Sequence, residues 1–500
     1  MRTILSLLLA GGIAAPALAA TDPWFAQGQA SLKAALAQQP NTGRAKNVIL
    51  FLGDGMSIAT INAARVLDGQ NKGGPGEDNR LFFETFPYTG LVKTYNTDAM
   101  VPDSAGTMSA IMTGVKTKAG VLSLDDGATL SHCDGPKAHV VPTLLELAAG
   151  AGKATGVVST TRLTHATPGA TYAHTPERDW ESDADLSEEA KAKGCVDIAR
   201  QFLEFKVGKG ITVAFSGGRG KFLPKAKPDP EYPDKTGERR DGRDLTVEWL
   251  KRHSGGHYVY NRKGFDKLKP GRGPVLGLFE PSYMQYEADR AKDKAGEPSL
   301  HEMTAKAIEL LKGSKQGFFL MVEGGRIDHA HHAGNARRAL EETIEFARAV
   351  QAASEATDPN ETLIVVTADH GHTMSFGGSY PPRGNPVLGL VRDHENPMRG
   401  PALDLNGKPI SVLNYINGPG YGVMRGEPYT AGVRPDLSKI DTTALDHRQE
   451  SLIPLKSETH SAEDVAVFAR GPWAHLFTGS LEQNVLFHFM AYASGLEKSE

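Results

Sequence analysis

Gly317-Phe318-Phe319-Leu320-Met321-Val322, running directly into Glu323-Gly324-Gly325-Arg326-Ile327-Asp328-His329-Ala330-His331-His332, is the stretch that decides the fold. A short and almost wholly apolar run has the composition of a strand buried on both faces. The polar, glycine-bearing tip that follows it is repeated elsewhere. Residues 47–52 run into Gly53-Asp54-Gly55-Met56-Ser57, and residues 361–367 into Ala368-Asp369-His370-Gly371-His372. Residues 154–159, 211–215 and 464–468 are further runs that read as buried parallel strands. Amphipathic stretches at 142–151, 187–205, 299–311, 334–353 and 481–492 read as helices. Strand alternating with helix predicts an α/β fold built on a doubly wound central sheet flanked by helices. Such sheets bind ligands beyond the carboxyl ends of their strands, where the polar tips stand.

Two segments break the rhythm. Residues 221–243, rich in Pro and charge, read as a surface excursion, and residues 374–458, rich in Pro and Gly, as an inserted accessory region. At the front, Arg2, an apolar run over residues 4–15, Pro16 and Ala17-Leu18-Ala19-Ala20 have the pattern of a secretory signal, cleaved after Ala19. The expected organisation is a signal at 1–19, an N-terminal arm at 20–45, a catalytic core at 46–373, the insertion at 374–458 and the end of the core at 459–500. After cleavage the product is expected to be periplasmic or secreted, with no membrane attachment.

Composition narrows the chemistry. With 55 basic and 59 acidic residues and a net charge of -4, the chain has no basic field to coat nucleic acid. Its 40% hydrophobic and 23% charged residues exclude disorder, collagen and multispanning membrane architectures. Fifty-five glycines in 500 residues exceed the usual ~7% and point to tight turns or crowded backbone. Seventeen histidines against two cysteines direct any metal chemistry to nitrogen and oxygen ligands. In an oxidising compartment Cys133 and Cys195 can pair as one disulfide.

Asp54 between two glycines is placed to meet a cation, although a turn-forming Asp has the same look. Ser104, in Pro102-Asp103-Ser104-Ala105-Gly106-Thr107, falls at or near a helix N-terminus, where free N–H groups favour a phosphate; an ordinary Ser cap is the alternative. Asp328 and His332 share one face of a helix at i and i+4, and Asp369-His370 is a second carboxylate–imidazole pair. His460, in Glu458-Thr459-His460-Ser461, is a further candidate. Mixed carboxylate and imidazole ligands suit zinc; an oxygen set of Asp54, Glu323 and a hydroxyl suits magnesium. Two zinc ions beside such a serine point to phosphoryl transfer.

Taken together, Gly53-Asp54-Gly55-Met56, Asp103-Ser104-Ala105, His165-Ala166-Thr167-Pro168 with Arg178, Glu323 to His329 with His332, Asp369-His370-Gly371-His372 and Thr459-His460 resemble the alkaline phosphatase family. The resemblance runs from about Lys46 to the C-terminus. It implies hydrolysis of small phosphate monoesters through a phosphoserine at Ser104, with two zinc ions and one magnesium per chain, in a homodimer. One zinc would be held by Asp328, His332 and His460, the other by Asp54, Asp369 and His370, and magnesium by Asp54, Thr167 and Glu323. Arg178 would grip phosphate through its planar fork, oriented by Asp103. His165 and His329, which line the substrate side, stand where enterobacterial members carry Asp and Lys, so the site resembles the animal and marine-bacterial branch. The family also pairs cysteines at the positions of Cys133 and Cys195. Ser104-Ala105-Gly106 lacks the Cys/Ser-x-Pro-x-Arg context of a sulfatase, and no Gly-x-Ser-x-Gly elbow of an esterase surrounds it.

Overall fold

The computed structural model describes residues 22–135, 137–378, 380–395, 400–421 and 434–497. The expected signal lies outside them. The chain forms two units, residues 1–41 and 42–500. In the first, a helix over Pro23–Ala37 is capped by Asp22 and buries none of its residues.

Among the described residues the second unit holds fifteen strands: β1 Asn47–Gly53, β2 Tyr88–Lys93, β3 Ala154–Arg162, β4 Val213–Gly217, β5 His257–Val259, β6 Val275–Leu278, β7 Phe318–Glu323, β8 Thr362–Ala368, β9 Gly371–His372, β10 Met374–Phe376, β11 Leu413–Gly418, β12 Ser451–Pro454, β13 His460–Ser461, β14 Val465–Arg470 and β15 Gly479–Glu482. Ten make one sheet in the order β15-β2-β14-β8-β1-β7-β3-β4-β6-β5, flanked by helices, as an α/β fold requires. The four at its centre, β8, β1, β7 and β3, are parallel neighbours. Their side chains are almost all buried on both faces; β1, β7 and β8 therefore read as largely apolar runs, while β3 ends in the polar Ser159-Thr160-Thr161-Arg162. Two small sheets, β10-β11-β12 and β13-β9, stand apart from it.

Several expectations are corrected. The run at 464–468 forms β14, which is antiparallel to both β8 and β2. The helix expected over 187–205 is two, Glu188–Ala192 and Ile198–Glu204. Between them Gly194 adopts φ +84° and Cys195 is tied to Cys133 by a disulfide, so the chain cannot continue as one helix. The stretch at 481–492 begins as β15 and turns helical only at Val485–Ser494. The segment 221–243 is more than a surface excursion, because Arg239 within it is fully buried, donating to Asp197 at 2.8 Å and to Asp241 at 2.5 Å. In contrast, the helix Leu300–Leu311 opens on the expected Ser299, whose hydroxyl pairs with Glu302 in a capping box.

Candidate active site

Strand register assembles the site. Leu52 lies opposite Glu323, Gly53 opposite Ala368, and Ser159 opposite Glu323. The parallel strands β8, β1, β7 and β3 therefore end on one edge, setting Asp369-His370, Asp54, Glu323 and the His165–Thr167 turn side by side. The late-chain His460 joins them because β13 pairs antiparallel with β9, placing His460 opposite His372. Close approach accounts for some of the glycine excess: a Cβ on Gly55 would stand 2.4 Å from the His372 ring, and one on Gly325 2.8 Å from Glu323 Oε1.

Asp328 and His332 lie on the short helix Arg326–His332. Asp328 Oδ1 is 3.3 Å from Nε2 of both His332 and His460, and those two nitrogens are 3.2 Å apart. Each ring donates its Nδ1–H to a backbone carbonyl, His332 to Glu458 at 2.5 Å and His460 to Pro102 at 2.8 Å. A carbonyl only accepts, so each Nδ1 carries a hydrogen, and in the neutral imidazole each Nε2 then presents its lone pair to the one carboxylate oxygen. Three acceptors so close repel unless a cation lies between them. An ion ~2.0–2.1 Å from each has ligand atoms about 3.3 Å apart at the edges of its tetrahedron, so the set fits zinc.

A second group is Asp54, Asp369 and His370, all fully buried. His370 Nε2 lies 3.5 Å from Asp54 Oδ1 and 3.3 Å from Asp369 Oδ2. Asp369 Oδ1 accepts the backbone N–H of Gly55 and of His370, whereas its Oδ2 and both oxygens of Asp54 accept no hydrogen bond among the described residues. Burial, reinforced by the charges of Asp369, Asp328 and Glu323, pushes the Asp54 carboxyl well above the usual carboxylate range. Burial likewise raises Asp369 to about 6. A cation relieves both causes.

Asp54 also belongs to a third group with Glu323 and His165. Glu323 Oε2 accepts from the hydroxyls of Ser159 and Thr161, while Oε1 makes no hydrogen bond of normal geometry among the described residues. Burial lifts its carboxyl to about 7 despite the hydroxyls of Ser159, Thr161 and Thr167, which favour its charge. The set of hard oxygens fits magnesium. His165, expected on the substrate side, thus also reaches this group. Its ring lies 5.6 Å from that of His329, whose imidazole burial drives down to about 3.

Ser104 is the first residue of the helix Ser104–Thr113, and the cap is Asp103, whose Oδ1 accepts from Gly106 N at 3.0 Å. The serine hydroxyl is therefore not spent on capping. It stands 3.1 Å from His370 Nε2, next to the second group. Asp103 Oδ2 accepts from Arg178 Nη1 at 3.1 Å, so one carboxylate fixes both the helix start and the guanidinium. A pre-oriented planar fork beside a helix-N-terminal hydroxyl and three cation pockets is suited to a tetrahedral phosphoryl group.

Comparison with known proteins agrees with this geometry. The alkaline phosphatase family model matches residues 45–496. The chain belongs to the alkaline phosphatase family. As an alkaline phosphatase it is a metal-dependent phosphoric monoester hydrolase. It is 46% identical over 483 residues to the tissue-nonspecific alkaline phosphatase of Gallus gallus, covering 95% of this chain and 89% of the relative. It is 44% identical over 478 residues to the alkaline phosphatase of Gadus morhua, covering 94% and 96%. Among solved structures it resembles the alkaline phosphatase of Thermus thermophilus, with a TM-score of 0.65 and 25% identity over 93% of this chain and 94% of that one.

Within this alkaline phosphatase the structure brings together the carboxylates, imidazoles, serine and arginine expected at the site, with His329 joined to it by ring contact with His165. It adds two. His372 lies between Asp328, 2.8 Å from its Nε2, and Glu458, 2.5 Å from its Nδ1. Burial opposes its charge, but the hydrogen bonds to those two carboxylates outweigh it and push the imidazole up to about 9. His372 sits two residues beyond His370, and Glu458 two before His460, so nearness to the motifs was the available signal.

Proposed function

We propose that this enzyme is exported and hydrolyses small phosphate monoesters by two in-line displacements through phospho-Ser104, at a site of two zinc ions and one magnesium per chain. Asp328, His332 and His460 would hold one zinc, Asp54, Asp369 and His370 the other, and Asp54, Thr167 and Glu323 the magnesium. Bound there, these ions supply Lewis acidity, lowering the proton affinity of the Ser104 hydroxyl and of the attacking water and stabilising the leaving oxygen. Arg178 binds two nonbridging phosphate oxygens, held in its orientation by Asp103. Oγ of Ser104 bonds to phosphorus as the bond to the ester oxygen breaks and the alcohol departs. A water oxygen then bonds to phosphorus, Ser104 Oγ leaves and recovers a proton, and phosphate is released.

The observation that carries this reading is the pair of Nε2 atoms of His332 and His460, 3.2 Å apart and each 3.3 Å from one oxygen of Asp328, with both Nδ1 atoms turned to backbone carbonyls. Export is supported by the pattern of residues 1–19 and by the disulfide, which belongs to an oxidising compartment. No helix among the described residues is long and apolar enough to cross a membrane. A homodimer, with no nucleic acid partner, completes the reading. Elemental analysis of the purified protein tests it: two zinc and one magnesium per chain are expected, and a fully active preparation without zinc overturns it.

A further inference from the structure

Glu458 is buried, and its carboxylate oxygens, backbone carbonyl and backbone N–H are all hydrogen-bonded. Its Oε2 meets Nδ1 of His372 at 2.5 Å, and its Oε1 accepts from the backbone N–H and the hydroxyl of Thr373 at 2.7 and 2.6 Å. Its backbone carbonyl accepts Nδ1–H of His332 at 2.5 Å, and its backbone N–H donates to the carbonyl of His332 at 3.0 Å. The far side of the His372 ring bonds Asp328 Oδ1, the same oxygen that stands 3.3 Å from Nε2 of His332 and of His460. Glycine backbone packs closely against both Glu458 and His372. A Cβ on Gly418 would stand 2.9 Å from Glu458 Cβ, and one on Gly55 2.4 Å from His372.

We infer that Glu458 is a positioning residue for the Asp328–His332–His460 ion pocket, aiming Asp328 through His372 and His332 through its own backbone. The inference rests on reading that pocket as a zinc site. A carboxylate that only filled space would not lie two hydrogen bonds from the oxygen on which both imidazoles converge. Partners of this kind set the orientation and basicity of metal ligands, and losing one typically weakens binding about 10–100-fold. Glu458 also ends the expected insertion, which thereby reaches the chemistry through its last residue.

The test uses the full chain and its Glu458→Gln variant, which keeps the volume and removes the charge. Zinc affinity is measured by competition with a chromophoric chelator, and the visible absorption of the cobalt-substituted protein is recorded. One zinc is expected to weaken about 10–100-fold while the other stays within about threefold, with an altered cobalt spectrum. Unchanged affinities and spectrum overturn the inference. So does equal weakening of both zincs together with a lower melting temperature of the metal-free protein, which would mark a purely structural role. If Glu458→Gln does not yield folded protein, Glu458→Asp is judged by the same criteria. A parent chain that binds no zinc overturns the zinc-site reading itself, a result distinct from a parent that binds two and a variant that binds them equally well.

Discussion

The guanidinium of Arg178 donates from Nη2 to Nε2 of His165 across 3.3 Å, tying the proposed phosphate grip to a ring that also reaches Asp54 and Glu323. Histidine there contributes no negative charge: burial, aided by Arg178 and Arg162, holds its pKa well below the usual imidazole range. Aspartate in its place would add a hard anionic ligand for magnesium and a competing partner for Arg178. His165→Asp is therefore expected to tighten magnesium and lower kcat, each by about tenfold, the scale of one close charge. Magnesium titration alongside steady-state rates checks both, and looser magnesium would contradict the prediction.

Asp103 serves three groups through two oxygens, Gly106 N by Oδ1 and both Gly120 N and Arg178 Nη1 by Oδ2. Asp103→Ala should cost about 1 kcal/mol of stability from the lost helix cap and raise KM by freeing the guanidinium. Asp103→Asn retains a capping oxygen but not the charge. It is expected to recover part of the melting temperature, since its amide NH2 cannot accept from Gly120 N, while KM stays high, and a KM that returns to the parent value would show that Arg178 does not depend on Asp103.

Glu342, on the helix Ala336–Ala356, is buried and accepts the backbone N–H of Glu287 at 2.6 Å. Burial pushes its carboxyl from the ordinary 4.5 up to about 8, outweighing that hydrogen bond and the charge of Arg326. Between those values the folded chain keeps a proton that the unfolded chain releases. Its contribution to stability is thus full at pH 4.5 and below, falls as pH rises through the window, and levels off above about pH 8. Glu342→Gln keeps the acceptor and removes the titration. Denaturant unfolding should show the variant gaining on the parent at pH 9 but not at pH 4.5, and an equal difference at both would contradict this.

The sheet and the ion pockets were largely legible in the sequence, for a local reason. β1, β7 and β8 are short, largely apolar on both faces and lead at once into proposed ligands, so pattern and candidate chemistry occur together at Asp54, Glu323 and Asp369. What was missed depends on distant pairing. β2, β5, β6 and β15 are short or exposed on one face, and Leu481, apolar within a helix-like run, pairs with Val92 of β2 instead. The break between Glu188–Ala192 and Ile198–Glu204 falls at Gly194, at φ +84°, beside a cysteine bonded to a residue 62 positions away. The roles of His372 and Glu458 arise only where β13 meets β9, a contact that no local pattern announces.

The central claim is that Ser104 carries the phosphoryl group. Quenching the enzyme with acid during turnover of a phosphate-labelled monoester, then locating the label by peptide mass spectrometry, tests it most directly. Label on Ser104, approaching one per chain at acid pH and absent from an inactive Ser104→Ala variant, is the predicted result. Label elsewhere, or a Ser104→Ala variant that keeps nearly full activity, would contradict it.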